Sequence, residues 1–222
     1  MTHRIALIGT TGTNSRHWTD AFLKAGWSVR SLMRAPSRLT PRPNQTAQRF
    51  DLDDTETYEP ALAGADVLGL VTPPDLKQVE RESALIAAGT YTEPLGSARI
   101  TSIDVRDTAD AAVAVAGGGF DRRALVLTGS DALTGPEIAA VLSEGCGHPV
   151  RFISPDLQSF KAALDAQGAP GWRADSHLEL YSDIQGGRAP HLAVISHDFT
   201  TLTGKKPRTL LEFICAEFPK QQ

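Results

Sequence analysis

The chain has 222 residues, 41% of them hydrophobic and 22% charged, the composition of a globular protein with a core to bury. Its net charge of −4 argues against the basic face that a nucleic-acid or anionic-membrane binder needs. Cys146 and Cys215 lack a CxxC spacing and no stretch reaches transmembrane length, so the expectation is a soluble, cytoplasmic protein with reduced thiols and no leader.

In chain order, Ile5 to Ile8 is a short apolar run ended by Gly9, as in a strand buried on both faces. Asn14 to Lys24 follows with Trp18, Ala21, Phe22 and Ala25 on one helical stripe, and Gly26 as a stop. Trp27 to Met33 returns to strand chemistry. Gln48-Arg49-Phe50 is a weaker strand before the acidic turn Asp51 to Asp54. Tyr58 to Leu62 reads as a helix interrupted or restarted at Pro60, Asp66 to Val71 as a buried strand, and Leu76 to Ala88 as a helix. Strands alternating with helices at this spacing predict βαβ units and a parallel sheet.

After Gly89 the pattern changes. Tyr91 to Ser97 is loop-like, Arg99 to Ile103 a short strand, and Thr108 to Ala116 an alanine-rich helix capped by Asp107. Ala124 to Leu127 and Val150 to Ile153 read as strands. Thr134-Gly135-Pro136-Glu137 is a capping box with proline in the first turn, launching a helix with Ile138, Val141 and Leu142. Leu157, Phe160 and Leu164 share one helical face, and Leu178, Tyr181 and Ile184 another. Thr209 and Glu212 form a second box before a helix bearing Leu210, Phe213, Ile214 and Phe218. The expected architecture is α/β: a Rossmann-type parallel sheet, truncated, with a smaller C-terminal α+β lobe. Residues 1–88 are the dinucleotide-binding part, and 89–222 are the remainder of the core and the substrate-side lobe.

The segment from Gly9 through Gly12 to Asn14 and Ser15 lies between a buried strand and an amphipathic helix. A glycine turn in that context brings main-chain N–H groups and a helix N-terminus to a pyrophosphate. Ser15 occupies the place of the third fingerprint glycine, where its Cβ loosens helix–strand packing and its hydroxyl is a phosphate donor. An NAD-preferring site places an acidic residue at the end of the second strand. Here Arg34 stands there, after Arg30 and before Arg38. A guanidinium at a strand end pairs with a 2′-phosphate, which points to NADP(H) ahead of NAD(H). Arg38 reads as a solvated surface charge.

Ile5 to Gly12, Leu32 to Ser37, Asp51 to Asp54 and Ala61 to Val67 together resemble the NmrA-like family of atypical short-chain dehydrogenase/reductases. So do Leu70-Val71-Thr72-Pro73-Pro74 and Asp104 to Asp107. The resemblance implies a nicotinamide-dependent reductase, with Gly9, Thr11 and Gly12 on the pyrophosphate and Arg34 on the 2′-phosphate. It places Asp51 and Leu52 beside the adenine, and Thr72 and Pro73 beside the nicotinamide ribose. The Asp104 to Asp107 block follows the substrate cleft in the family, although helix capping by Asp107 explains it locally. The family's fifth strand, the helix after it and the sixth strand have no counterpart after Ala88.

No Tyr-x-x-x-Lys pair surrounds Tyr58, Tyr91 or Tyr181, and the six histidines show no HxH or HExxH spacing, so no metal site is expected and no catalytic residue is assigned. Hydride transfer needs a nicotinamide held against a substrate in a dry pocket and no protein nucleophile. The leading expectation is an oxidoreductase passing hydride from NADPH to a small electrophile such as a quinone or an iminium. The second is a non-catalytic NADP-binding sensor or partner-binding protein, and the third a fragment that folds by pairing with another chain. Loss of strands from the sheet predicts a homodimer, with a small molecule as the other partner.

Overall fold

The computed structural model describes residues 3–8, 13–40, 42–70, 89–120 and 122–217. Its contacts separate into two units. The first takes residues 1–76, 105–125 and 199–205, and the second takes 77–104, 126–198 and 206–222.

In the first unit β1 (Arg4–Ile8) is an apolar run buried from Ile5 onward, as a strand covered on both faces requires. It pairs in parallel with β2 (Ser28–Met33) and β4 (Val67–Leu70), and β2 pairs with β3 (Gln45–Arg49). The order is β3-β2-β1-β4. Alternation along the strands divides the core between the faces. Ile5, Leu7 and Val29 meet Phe22 and Trp18 of α1 (Thr13–Lys24), with Val113 and Ala116 of a later helix packed against them. Ala6, Ile8 and Leu32 meet Phe50 and α2 (Tyr58–Leu62). Left-handed Gly26 closes α1, and the Trp27 N–H returns to the Phe22 carbonyl at 3.0 Å. Gly69 is required in β4, since a Cβ there would lie 2.8 Å from Leu7 Cδ1. The later helix is α3 (Val105–Ala116), tied to α1 by a bond from Trp18 Nε1 to Thr108 Oγ1 at 3.2 Å.

The second unit is α+β. β5 (Thr90–Thr92) runs parallel to β8 (Arg151–Ile153), and β6 (Arg99–Thr101) antiparallel to β7 (Ala132–Thr134). Its core joins Ile138 and Leu142 of α4 (Gly135–Cys146) to Val150 and Ile214. α5 (Leu157–Ala166) and α6 (Gly171–Gln185) follow; α7 (Asp198–Thr203) belongs, from buried Phe199 onward, to the first unit, and α8 (Leu210–Glu217), which carries Ile214, to the second. Both expected capping boxes form. Thr134 and Glu137 bond reciprocally at the start of α4, and Thr209 and Glu212 do so before α8. No helix among the described residues is long and apolar enough to cross a membrane.

Four local expectations are corrected. Within the loop expected over Tyr91 to Ser97, Thr90–Thr92 is a strand, formed by pairing with β8 some sixty residues away, where no local pattern reaches. The α3 helix begins at Val105, which puts Asp107 inside the first turn, fully buried, instead of at the cap. Ala124 to Leu127 forms no strand. The Val126 N–H donates to Asp198 Oδ2 at 2.8 Å, and Val126 is 55% exposed. β3 covers Gln45–Arg49, ahead of the expected Gln48 to Phe50, because pairing to β2 sets its extent and buried Gln45 donates to Ser31 Oγ at 2.9 Å. Gly9, Thr11, Gly12, Val71, Thr72, Pro73, the helix expected over Leu76 to Ala88 and Phe218 lie outside the described residues.

Candidate functional site

Parallel register aligns the carboxyl ends of the four strands at one edge of the first unit. Ile8 stands opposite Leu32 and Leu70, and Leu32 opposite Gln48, so all four strands end together. The segments leaving those ends are the glycine turn, Arg34, the Phe50-Asp51-Leu52 turn and the stretch that holds Thr72 and Pro73. Of the candidate residues, Arg34, Asp51 and Leu52 follow the ends of β2 and β3, and Asn14 and Ser15 open α1, while Gly9, Thr11, Gly12, Thr72 and Pro73 lie outside the described residues.

The α1 helix starts at Thr13 immediately after the glycine turn, with Asn14 and Ser15 in its first turn. That turn holds no acidic residue. A helix start leaves main-chain N–H groups without intrahelical partners at the positive end of the dipole, which favours an anion. Ser15 is 1% exposed, and its Oγ is buried without a hydrogen-bond partner. With Trp18, Thr19 and Phe22 it forms the helix stripe turned to the core. A glycine in its place would be the conventional way to let helix and strand approach closely.

The arginines separate into two kinds. Arg30 Nη1 donates to the carbonyls of Ala61 and Ala63 at 2.9 and 2.7 Å, which fixes it on the end of α2. Arg34, one residue past β2, is exposed, and its side chain makes no hydrogen bond or ion pair to the described residues. Arg38 ends an exposed 3-10 turn, in keeping with a solvated charge.

Asp51 and Leu52 sit in a turn built largely from their own neighbours. Asp51 Oδ1 accepts the Asp53 N–H at 3.2 Å, and Thr57 Oγ1 accepts the Asp51 N–H at 3.0 Å. Thr57 also donates to the Asp54 carbonyl at 2.6 Å, Tyr58 Oη donates to the Leu52 carbonyl at 2.8 Å, and Arg49 pairs with Asp54 at 3.0 Å. Stacking of Phe50 on Tyr58, 5.0 Å between ring centres, supports the turn from beneath. Leu52 is thus held 58% exposed, an apolar side chain on a fixed loop at the edge where the strands end. Thr57, Tyr58 and Arg49 were missed as contributors. The Thr57 spacing, three residues from Asp54, is the only sequence signal they gave.

In the second unit, Tyr91 Oη donates to Glu93 Oε2 at 2.7 Å and Tyr181 Oη to Glu93 Oε1 at 3.1 Å. Phe160 meets Tyr181 edge-on, and Phe152 lies against Tyr91. This cluster joins β5 to α6, and nothing in the sequence marked it beyond four aromatic residues on separate elements.

Residues 1–92 match the model of the NmrA-like family. The NAD(P)H azoreductase of Xenophilus azovorans is 37% identical over 133 residues, covering 59% of this chain and 45% of that protein. The chain therefore spans about half the length of that relative. Among solved structures, the NADPH-dependent quinone oxidoreductase of Escherichia coli, complexed with NADPH, superposes with a TM-score of 0.76 at 19% identity. That match covers 96% of this chain and 99% of the other. The triphenylmethane reductase of Citrobacter sp., complexed with NADP(H), does so at 0.73 with 16% identity and the same coverage. At these identities the likeness speaks for the fold.

Proposed function

We propose that this NmrA-like chain binds a nicotinamide dinucleotide, NADP(H) ahead of NAD(H), and reduces a small electrophile with it. The observation that carries this reading is the shared strand-end edge. An acid-free helix N-terminus, an exposed arginine with no ion pair to the described residues and a fixed exposed leucine all follow the carboxyl ends of parallel strands, the side on which α/β sheets bind ligands. Gly9, Thr11, Gly12, Asn14 and Ser15 would hold the pyrophosphate through main-chain N–H groups. Arg34 would pair with the 2′-phosphate, Asp51 and Leu52 would flank the adenine, and Thr72 and Pro73 the nicotinamide ribose. The bound cofactor supplies a hydride, and the chain's part is to orient it and exclude water. A quinone, an iminium or an azo compound is the proposed acceptor class, the last in view of the azoreductase relative.

A second reading, a cofactor-binding protein without turnover, is favoured by the described parallel sheet of four strands, which stops at β4. NADPH oxidation with quinone, iminium and azo acceptors, run beside Gly12→Asp, separates the two. Turnover that Gly12→Asp abolishes supports the enzyme. Cofactor binding without turnover supports the second reading, and turnover untouched by Gly12→Asp contradicts the placement of the site.

A further inference from the structure

The opposite edge of the sheet, where the strands begin, carries polar chemistry that the dinucleotide reading does not use. Alternation along the strands puts Arg4, Ser28, Arg30 and Thr46 on one face, with Arg4 opposite Ser28 and Arg30 opposite Thr46. Both guanidiniums are anchored by main-chain carbonyls of the connection between α2 and β4. Arg30 Nη1 uses those of Ala61 and Ala63, and Arg4 Nη1 donates to Gly64 at 3.3 Å. These are carbonyls at and just beyond a helix C-terminus, the end that favours cations.

A guanidinium carries five N–H donors. The Nη1 bonds are the only hydrogen bonds that either side chain makes to the described residues, so Nε and Nη2 of both remain without an acceptor there. Beside them lies a recess of about 250 Å³ whose lining includes Arg4, Arg30, Ser28, Asn44 and Thr46 and no carboxylate. Asn44 reaches it from a left-handed turn, φ 60°. The side chains of Ser28, Asn44 and Thr46 likewise make no hydrogen bond to described residues. The nearby carboxylate is Asp66, outside the lining, where Oδ2 accepts the Arg4 main-chain N–H at 2.8 Å and lies 3.9 Å from His3 Nδ1.

We propose that this recess is a binding site for a small oxyanion: inorganic phosphate or the phosphate of a compact monoester. Two anchored arginines on the lining of one recess supply guanidinium donors of the kind that pair with phosphate oxygens. Hydroxyl and amide groups from β2, β3 and the turn before β3 complete the donor set. The site lies at the sheet edge opposite the proposed cofactor site and does not depend on it.

The test is an amide NMR titration of the intact chain with inorganic phosphate and, separately, with glycerol phosphate. Each is run at constant ionic strength, with and without saturating NADPH. Saturable shifts at Ser28, Arg30 and Thr46 in both conditions are expected, and the tighter ligand identifies the source. Loss of a charge-assisted donor in Arg4→Gln should weaken binding about tenfold or more. Arg30→Ala risks unfolding α2, so Thr46→Val, at an exposed position, serves as the second variant and should weaken binding in the same sense. The proposal is overturned by shifts confined to the first turn of α1 and Arg34, by the absence of saturable shifts at the three amides, or by unchanged affinity in both variants. Failure of NADPH to bind would contradict the proposed function and leave the phosphate titration readable by itself.

Discussion

Ser15 carries a buried hydroxyl without a hydrogen-bond partner among the described residues, on the helix stripe that packs against the sheet. Such a group costs on the order of 1–3 kcal/mol in lost hydration. Ser15→Ala should therefore raise the urea midpoint of the cofactor-free protein, by roughly 1 kcal/mol in free energy. A lowered midpoint would mean that the hydroxyl has a partner in solution. Glu137 shows the opposite economy, because every acceptor is used. Its carboxyl is held at about 2, against an ordinary 4.5, first by the Thr134 main-chain N–H, then by Arg99 and the Thr134 hydroxyl. A value lower in the folded than in the unfolded chain means that this cap stabilises fully above about pH 4.5 and is lost as pH falls toward 2. Denaturation midpoints should drop between pH 5 and pH 3, and in Glu137→Gln, which starts lower at pH 6, the drop should be shallower. An equal slope in the variant would remove Glu137 as the cause.

At the scale of elements, the α4–α8 contact depends on a glycine within a helix. A Cβ on Gly145 would collide with Ile214 Cγ2 and lie 3.0 Å from Ile214 Cβ. Alanine is better than glycine in a helix interior by about 1 kcal/mol, while overpacking costs about 1–3 kcal/mol. Gly145→Ala should accordingly destabilise, and Ile214→Ala should cost less in the Gly145→Ala background than in the native one. Additive losses in that cycle would contradict the contact. The elements legible in the sequence were those whose signals are local. The buried run of β1, the stripe of α1 and the boxes Thr134–Glu137 and Thr209–Glu212 each announce themselves within a few residues. β5 was illegible because a three-residue strand owes its existence to a distant partner. Ala124 to Leu127 misled because its apolar pattern suits a strand, whereas the Val126 N–H is bound by a carboxylate. Of the candidate site, Arg34 was readable from its place after an apolar strand. The bracing of Leu52 by Tyr58 was not, since a phenol-to-carbonyl bond leaves no periodic trace.

For the whole molecule we propose a homodimer. Among the described residues β4 pairs with β1 alone, and Leu68 on it is 44% exposed, an edge that a second copy would cover. Light scattering at micromolar concentration should give twice the chain mass, and a well-behaved monomer would end that proposal. The central claim is that the edge where the strands end is a dinucleotide site read by Arg34. It is tested most directly by calorimetric titration of the intact chain with NADP(H) and NAD(H), beside Arg34→Ala. The prediction is saturable binding of both, tighter for NADP(H), with Arg34→Ala weakening NADP(H) by about ten- to a hundredfold and leaving NAD(H) nearly unchanged. Equal affinities in the unmodified chain, or a preference that survives Arg34→Ala, would contradict it.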